Sequence, residues 1–272
     1  MQSKIASATG ILHEPVAILF SNHKPQNARQ FQEGKWGCVM FMLGAAVNGD
    51  IAVFDRKTFG CQGGGVGLGF GNQYQNFPGG EDCFCRFLST GNDGWERGRQ
   101  AAESVKPYLR PEAFDHFLHG ERYVKSPELV KKFIESLPIV DIPYEYVIFK
   151  PLKLVDPALE KPEVIVFLGD MNQIAALTIL ANYHRGTNDN VIYPWAAGCQ
   201  SIGIYAFREA ASETPRAVLG LNDISARLTL KRVLKDEVMS FAIPYPLFLE
   251  METNVEHSFL EQPTWKALIG SK

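Results

Sequence analysis

Two short turns with nearly the same residues are the parts of this chain best suited to chemistry. They read Gly60-Cys61-Gln62-Gly63 and Gly198-Cys199-Gln200-Ser201. A glycine turn that opens a helix lowers the pKa of its cysteine, which makes a thiolate available as a nucleophile or a metal ligand. The structural alternative is a tight turn packed against its counterpart, with Cys61 as a small apolar side chain.

The first turn is unusually rich in glycine, which occupies seven of the twelve positions from 60 to 71. A glycine is needed where the backbone adopts positive φ or is approached closely. A turn needs one or two of them, so we expect a ligand, a cofactor or the other half of the chain to approach Gly63–Gly71. Arg227, later in the chain, can bind a carboxylate or phosphate through two hydrogen bonds. The residues predicted to bind a ligand are Gln62, Gly63, Gly64, Gly65, Gln200, Ser201 and Arg227.

A third cysteine-containing motif, Cys83-Phe84-Cys85, lies in an aromatic-rich segment. On a strand its two thiols would point the same way and suit one metal centre. Cluster ligation usually needs four thiolates, and Cys61, Cys83, Cys85 and Cys199 supply that number. Soft thiolates select zinc, copper(I) or an iron–sulfur cluster. The alternative is a pair of buried thiols, and Cys38, inside an Ala-rich helix, is expected in the core.

Other catalytic patterns are absent or weak. The glycine run matches neither the dinucleotide fingerprint nor the P-loop, and no Gly-x-Ser-x-Gly elbow occurs. His116 and His119 lie three apart on a predicted helix without an accompanying acidic pattern, which favours a solvated face. Asp223 or Ser225 is expected to cap a helix. No reaction type follows, so whether the chain is an enzyme stays open.

The two Gly-Cys-Gln turns belong to a longer repeated order of elements. Each follows a predicted strand, at residues 15–20 and 162–167, and an apolar helix, at residues 38–46 and 173–181. Each turn is followed by apolar sequence that ends at a phenylalanine. Self-similarity of this kind governs a fold assignment. We therefore expect an α+β fold with two similar mixed α/β lobes from an internal duplication, packed as one globular unit.

The segment between the copies is polar and predicted to be helical. Ser126 with Pro127 fits a helix N-cap followed by proline. We divide the chain into a first repeat lobe (1–90), a helical connecting region (91–150) and a second repeat lobe with a C-terminal helix (151–272). Further strands are predicted at residues 144–149, 217–221 and 238–243.

Charge and composition exclude some functions. The formal net charge is −3 with both signs interspersed, so we expect neither nucleic acid nor a membrane as partner. The N-terminus has no convincing export signal, and no apolar run approaches the length of a spanning helix. Five cysteines, an odd number, argue against a disulfide framework. The expected location is cytoplasmic, and the oligomeric state is not predictable.

The motifs together resemble a known family. Pro15-Val-Ala-Ile, the two Gly-Cys-Gln turns and Asp223-Ile-Ser-Ala-Arg227 are similar to the domain of unknown function 169 family, over about residues 10–250. The resemblance implies an anaerobic bacterial or archaeal source, which would suit an oxygen-sensitive cluster. It implies no catalytic role for any residue.

The sequence therefore predicts a metal- or iron–sulfur-binding protein with a redox or cofactor-linked role on a small molecule. Two alternatives remain. One is a metal-free module that binds an anionic small molecule between duplicated halves. The other is an enzyme in which a turn cysteine is the nucleophile.

Overall fold

A seven-stranded mixed sheet organises most of the chain. The computed structural model describes residues 1–270, and the last two residues of the predicted 151–272 lobe lie outside them. The sheet order is β2-β3-β1-β4-β7-β6-β5, antiparallel throughout except for β5 beside β6. Its strands are β1 (Val16–Ser21), β2 (Ala52–Phe54), β3 (Tyr146–Pro151), β4 (Val164–Gly169), β5 (Val191–Ile192), β6 (Ala217–Gly220) and β7 (Met239–Pro244).

One face of the sheet carries a layer of helices from both ends of the sequence. Strand residues alternate between faces, so Ala17, Ile165 and Phe241 point to the same side. They pack with buried residues of four helices in one apolar cluster. The helices are α1 (Lys4–Thr9), α8 (Met171–Asn182), α12 (Tyr245–Thr253) and α13 (Pro263–Ile269).

The other face carries the helices that begin at the Gly-Cys-Gln turns. Phe20 of β1 meets Phe207 edge to face at 4.8 Å on this side. Ser201 lies against Gly220 of β6 on the same side. The helices here are α2 (Val39–Val47), α3 (Gln62–Gly67), α9 (Gly198–Ile202), α10 (Ile204–Ala210) and α11 (Ile224–Lys231).

A second compact unit, Gly71–Val140, is separate from the unit formed by Met1–Phe70 and the chain from Asp141 onward. It is helical. Stacked and edge-on rings of Tyr74, Phe77, Phe84 and Phe117 fill its interior. Its helices are α4 (Glu81–Phe87), α5 (Glu96–Val105), α6 (Pro111–His119) and α7 (Pro127–Ser136), and short 3-10 turns lie at Gln73–Asn76 and Lys106–Tyr108.

The fold is α+β, as the sequence predicts. The order strand–helix–strand–helix occurs twice, as β1–α2–β2–α3 and β4–α8–β5–α9. However, α8 packs on one face of the sheet, whereas α2 contacts α9 and α11 on the other. The shared order alone does not establish two similar lobes, so the duplication stays a prediction. None of the described helices is long and apolar enough to cross a membrane.

Candidate functional site

The two Gly-Cys-Gln segments begin short helices whose ends meet. Cys61 is the N-cap of α3, and its Sγ accepts a hydrogen bond from the Gly64 amide at 3.3 Å. Cys199, in α9, donates its S–H to the carbonyl of Gly63 at 3.2 Å. Since Gly63 O and Gly64 N belong to one peptide group, the two sulfurs lie within about 9 Å of each other. The structure therefore brings these two cysteines into one site.

A third cysteine, Cys38, joins them, although its sequence context predicts a position in the core. Cys38 is the N-cap of α2; part of the residue is exposed, but its thiol is surrounded by protein. Its loop lies against both others, since the Gly37 carbonyl approaches Gly60 and the Met40 sulfur approaches Gly198. Cys61 raises the pKa of the Cys38 thiol, and Cys38 raises that of Cys199. We call Cys38, Cys61 and Cys199 the thiol site.

A simple sequence signal marks the thiol site. Each of its cysteines directly follows a glycine, at Gly37, Gly60 and Gly198, whereas Cys83 and Cys85 follow Asp82 and Phe84. Gly60 shows what one of these glycines does. It has φ +85°, and the carbonyl of Gly37 leaves no room for a side chain there. The Cys38 and Cys61 loops therefore approach each other closely at this point.

Burial keeps the thiols of the site protonated. It is the main cause that raises the pKa of Cys38 to about 12, raises that of Cys61, and raises that of Cys199 well above its usual range. The Asp223 carboxylate raises all three thiol pKa values further. The Gly64 amide and the Trp36 indole lower the pKa of Cys61 by hydrogen bonding, but less than burial raises it.

The charged side chain that acts most on the thiol site is a carboxylate. Asp223 is among the largest influences on the pKa of Cys38, Cys61 and Cys199, and no described lysine, arginine or histidine is among them. Asp223 is held in place as the N-cap of α11, where it accepts hydrogen bonds from the Ser225 and Ala226 amides. This confirms the predicted helix cap and puts a carboxylate beside three thiols.

The glycines of the first turn are approached closely by the protein itself. A Cβ on Gly67 would lie 2.7 Å from the carbonyl carbon of Cys199, and one on Gly64 would lie 2.7 Å from the Phe59 oxygen. At Gly63 the nearest atom would be the Cys61 sulfur at 3.9 Å. Gly64 and Gly67 therefore allow local packing and the contact between α3 and α9. Of these three glycines, Gly63 alone has room for a side chain.

The other residues predicted to bind a ligand are largely occupied within the protein. Gln200 is 1% exposed, and its Oε1 accepts the Ala197 amide at 3.0 Å. The hydroxyl of Ser201, fully buried, donates to the Gly198 carbonyl. Gln62, at the start of α3, and Gly65, buried within it, lie on either side of Gly63 and Gly64.

Arg227 joins the loop before α11 to the start of β7. Its Nη1 donates to the carbonyls of Leu221 and Val238, and its Nη2 pairs with Glu237 at 3.2 Å. These contacts give the guanidinium a structural role. Its proposed use as a ligand clamp stays a prediction.

The predicted strand at Cys83-Phe84-Cys85 is wrong. These residues lie in α4, where successive side chains turn by about 100°, so the two thiols do not share a face. Cys83 is 0% and Cys85 4% exposed, beside the aromatic interior of the helical unit. Burial raises the pKa of Cys83, and raises that of Cys85 to about 11.

No single-ion site is preformed in the described part of the chain. Among residues 1–270, no group of three or more histidine, cysteine, aspartate or glutamate side chains is arranged to hold a metal ion. This finding disfavours a preformed mononuclear zinc site, in which four donors surround one atom at about 2.0–2.3 Å. A cluster spreads its thiolates over several iron atoms and needs a wider arrangement.

Comparison with known proteins identifies the family but no activity. The sequence profile of the domain of unknown function 169 family, described as uncharacterised ArCR, matches residues 4–254. Searches of curated proteins and of solved structures found no match. The match covers nearly the whole chain and agrees with the resemblance carried by the Gly-Cys-Gln turns. The chain is a member of the domain of unknown function 169 family.

Proposed function

We propose that the thiol site holds an iron–sulfur cluster, and that the protein has a redox or cofactor-linked role on a small molecule. One observation carries the proposal. Three Gly-Cys pairs, far apart in the sequence, converge where α2, α3 and α9 begin. The ligands would be Cys38, Cys61 and Cys199, and Cys38 takes the place of the predicted Cys83 and Cys85.

Electrostatics favour a metal over an anionic ligand. The Asp223 carboxylate is among the largest influences on the three thiols and no cation is, so an anionic small molecule would meet a like charge there. A cationic metal core would be attracted to thiolates and would displace their protons on binding. The same surroundings therefore disfavour the metal-free anion-binding alternative at this position.

The raised thiol pKa values also count against a cysteine nucleophile. Such an enzyme needs a thiolate near neutral pH, usually supplied by a nearby histidine or cation. The thiol site instead keeps its cysteines neutral in the absence of a metal. Metal binding does not require a low pKa beforehand, because the metal itself stabilises the thiolate.

The surroundings of Cys61 suit a cluster ligand. The Gly64 amide and the Trp36 indole direct N–H groups at its sulfur. Hydrogen bonds to ligand sulfurs help set the reduction potential of a cluster. Three cysteine ligands would leave one iron for a non-thiolate group. A cytoplasmic location is part of the proposal, since that compartment keeps the thiols reduced.

The test is reconstitution of the protein with iron and sulfide under anaerobic conditions, for the wild type and five single Cys→Ser variants. We expect Cys38→Ser, Cys61→Ser and Cys199→Ser to lose most of the bound iron and the broad visible absorption. Cys83→Ser and Cys85→Ser are the matched controls and should keep both. A wild type that stays colourless and iron-free would refute the proposal, as would loss confined to the two controls.

A further inference from the structure

An open cleft lies beside the thiol site, on the same compact unit. It has a volume of about 390 Å³ and is lined by residues 29–32, Lys35, Phe41 and Met42. A volume of this order suits a small organic molecule. The cleft lies between the segment that runs alongside β2 and the outer side of α2.

The polar part of the cleft is cationic. Arg29 pairs with Asp50 through Nε at 2.6 Å, and its backbone bridges to β2, so its position is fixed. Within the described residues its terminal Nη groups have no acceptor, and Lys35 has no ion pair. The amide of Gln30 is held by Asp55 and Thr58. Two cationic side chains thus line the cleft and are available to a ligand.

The rest of the lining is apolar and partly exposed. Phe41 is 44% exposed although it lies on α2, eight of whose nine residues are buried. Met42, beside it, is buried and continues this wall. Phe31 forms another part of the lining, so aromatic rings and a thioether adjoin two cations. Such a lining matches a molecule with an apolar body and one anionic group.

Phe31 also connects the cleft to the thiol site. Its ring fills the space that side chains at Gly37 and Gly60 would need, and these glycines directly precede Cys38 and Cys61. A ligand in the cleft would therefore contact the residue that supports both cysteine loops. This proximity makes the cleft relevant to the function of the thiol site.

We propose that this cleft is a binding site for a small organic anion with an aromatic or otherwise apolar body. Arg29 and Lys35 bind the anionic group by charge-assisted hydrogen bonds. Phe31 and Phe41 cover the apolar part. The proposal does not depend on a cluster, because all of these residues lie outside the thiol site.

The test uses two fluorescent probes that differ mainly in charge. 8-Anilinonaphthalene-1-sulfonate is anionic, and N-phenyl-1-naphthylamine is its neutral analogue. We expect the wild type to bind the anionic probe saturably and more tightly than the neutral one. Lys35→Glu should lower the affinity for the anionic probe about tenfold and leave the affinity for the neutral probe nearly unchanged. Phe41→Ala should lower the affinity for both probes.

Lys235→Glu is the matched control, since Lys235 is exposed on the same unit but does not line the cleft. It should bind both probes like the wild type. Circular dichroism of each variant checks the fold. No saturable binding by the wild type, equal affinity for the two probes, or wild-type affinity in both Lys35→Glu and Phe41→Ala would overturn the proposal.

Discussion

The five cysteines fall into two regions that differ in what surrounds each sulfur. In the thiol site, Cys38 and Cys61 cap helices, Cys199 is the second residue of another, and each follows a glycine. Cys83 and Cys85 lie within α4, beside aromatic rings. Burial raises the thiol pKa in both regions. A position at a helix start, directly after a glycine, distinguishes the three cysteines of the thiol site from the two within α4.

The largest effect should come from a substitution that pushes α3 away from α9 and so separates Cys61 from Cys199. Gly67→Ala forces a methyl group against the Cys199 backbone, which cannot move aside as a side chain end can. We expect it to lower the free energy of unfolding by about 2–3 kcal/mol, measured by urea denaturation. Gly63→Ala, where the added methyl has room, should be neutral or stabilising by about 0.5–1 kcal/mol. If the two substitutions lowered the free energy of unfolding equally, α3 and α9 would not meet as described.

The pH dependence of Cys85 gives the next largest effect. Its pKa is about 11 in the folded protein against 9.0 for an ordinary thiol. The unfolded chain therefore loses this proton first, so the stabilisation is complete below about pH 9 and disappears as the pH rises through 11. Between about pH 8 and pH 10.5 the loss should be about 2 kcal/mol.

This loss can be measured by comparing the free energies of unfolding of the wild type and a Cys85→Ala variant at two pH values. At pH about 8, Cys85→Ala should be less stable than the wild type by about 1 kcal/mol because of the cavity. By about pH 10.5 the difference should close or reverse, since alanine does not titrate. Val130→Ala, a buried substitution in α7 of the same unit, should keep a constant difference. A constant difference for Cys85→Ala as well would contradict the raised pKa.

The smallest effect concerns Asp223, whose carboxylate acts on the thiol site, whereas other carboxylates act on Cys83 and Cys85. Asp223 raises the pKa of Cys38, Cys61 and Cys199 but contributes nothing resolved at Cys83 or Cys85. Asp223→Asn keeps a helix cap while removing the charge. In the metal-free protein, iodoacetamide should label the three thiols about two- to fivefold faster, because the thiolate fraction rises.

Mass spectrometry can follow each cysteine separately in that experiment. Cys83 and Cys85 should keep their wild-type labelling rates. Asp236→Asn, which removes an exposed carboxylate paired with His13, is the matched control and should change no cysteine. Uniform acceleration of all five cysteines would indicate general loosening of the fold rather than loss of a local charge.

Patterns that depend on neighbours in the chain were readable from the sequence. The strands at residues 16–21 and 164–169 follow from short apolar runs after a proline, and Ser126 caps α7 as expected. The error at Cys83 arose because aromatic residues favour strands. The helix signal there was Glu81 and Asp82 in a first turn after Gly80.

The composition of the thiol site depends on long-range packing and was only partly predictable. The repeated Gly-Cys-Gln turns indicated Cys61 and Cys199, whereas Cys38 lacks the glutamine and precedes an apolar run typical of a core helix. The glycine before it was the available signal. The excess of glycine in the first turn indicated a close approach, but periodicity does not reveal that α9 is what approaches.

Anomalous diffraction at the iron absorption edge tests the central claim most directly, with crystals grown anaerobically after reconstitution. We predict iron peaks about 2.3 Å from the sulfur atoms of Cys38, Cys61 and Cys199. No peak is expected at Cys83 or Cys85. Iron bound elsewhere, or fully reconstituted crystals with no iron near these three sulfurs, would contradict it.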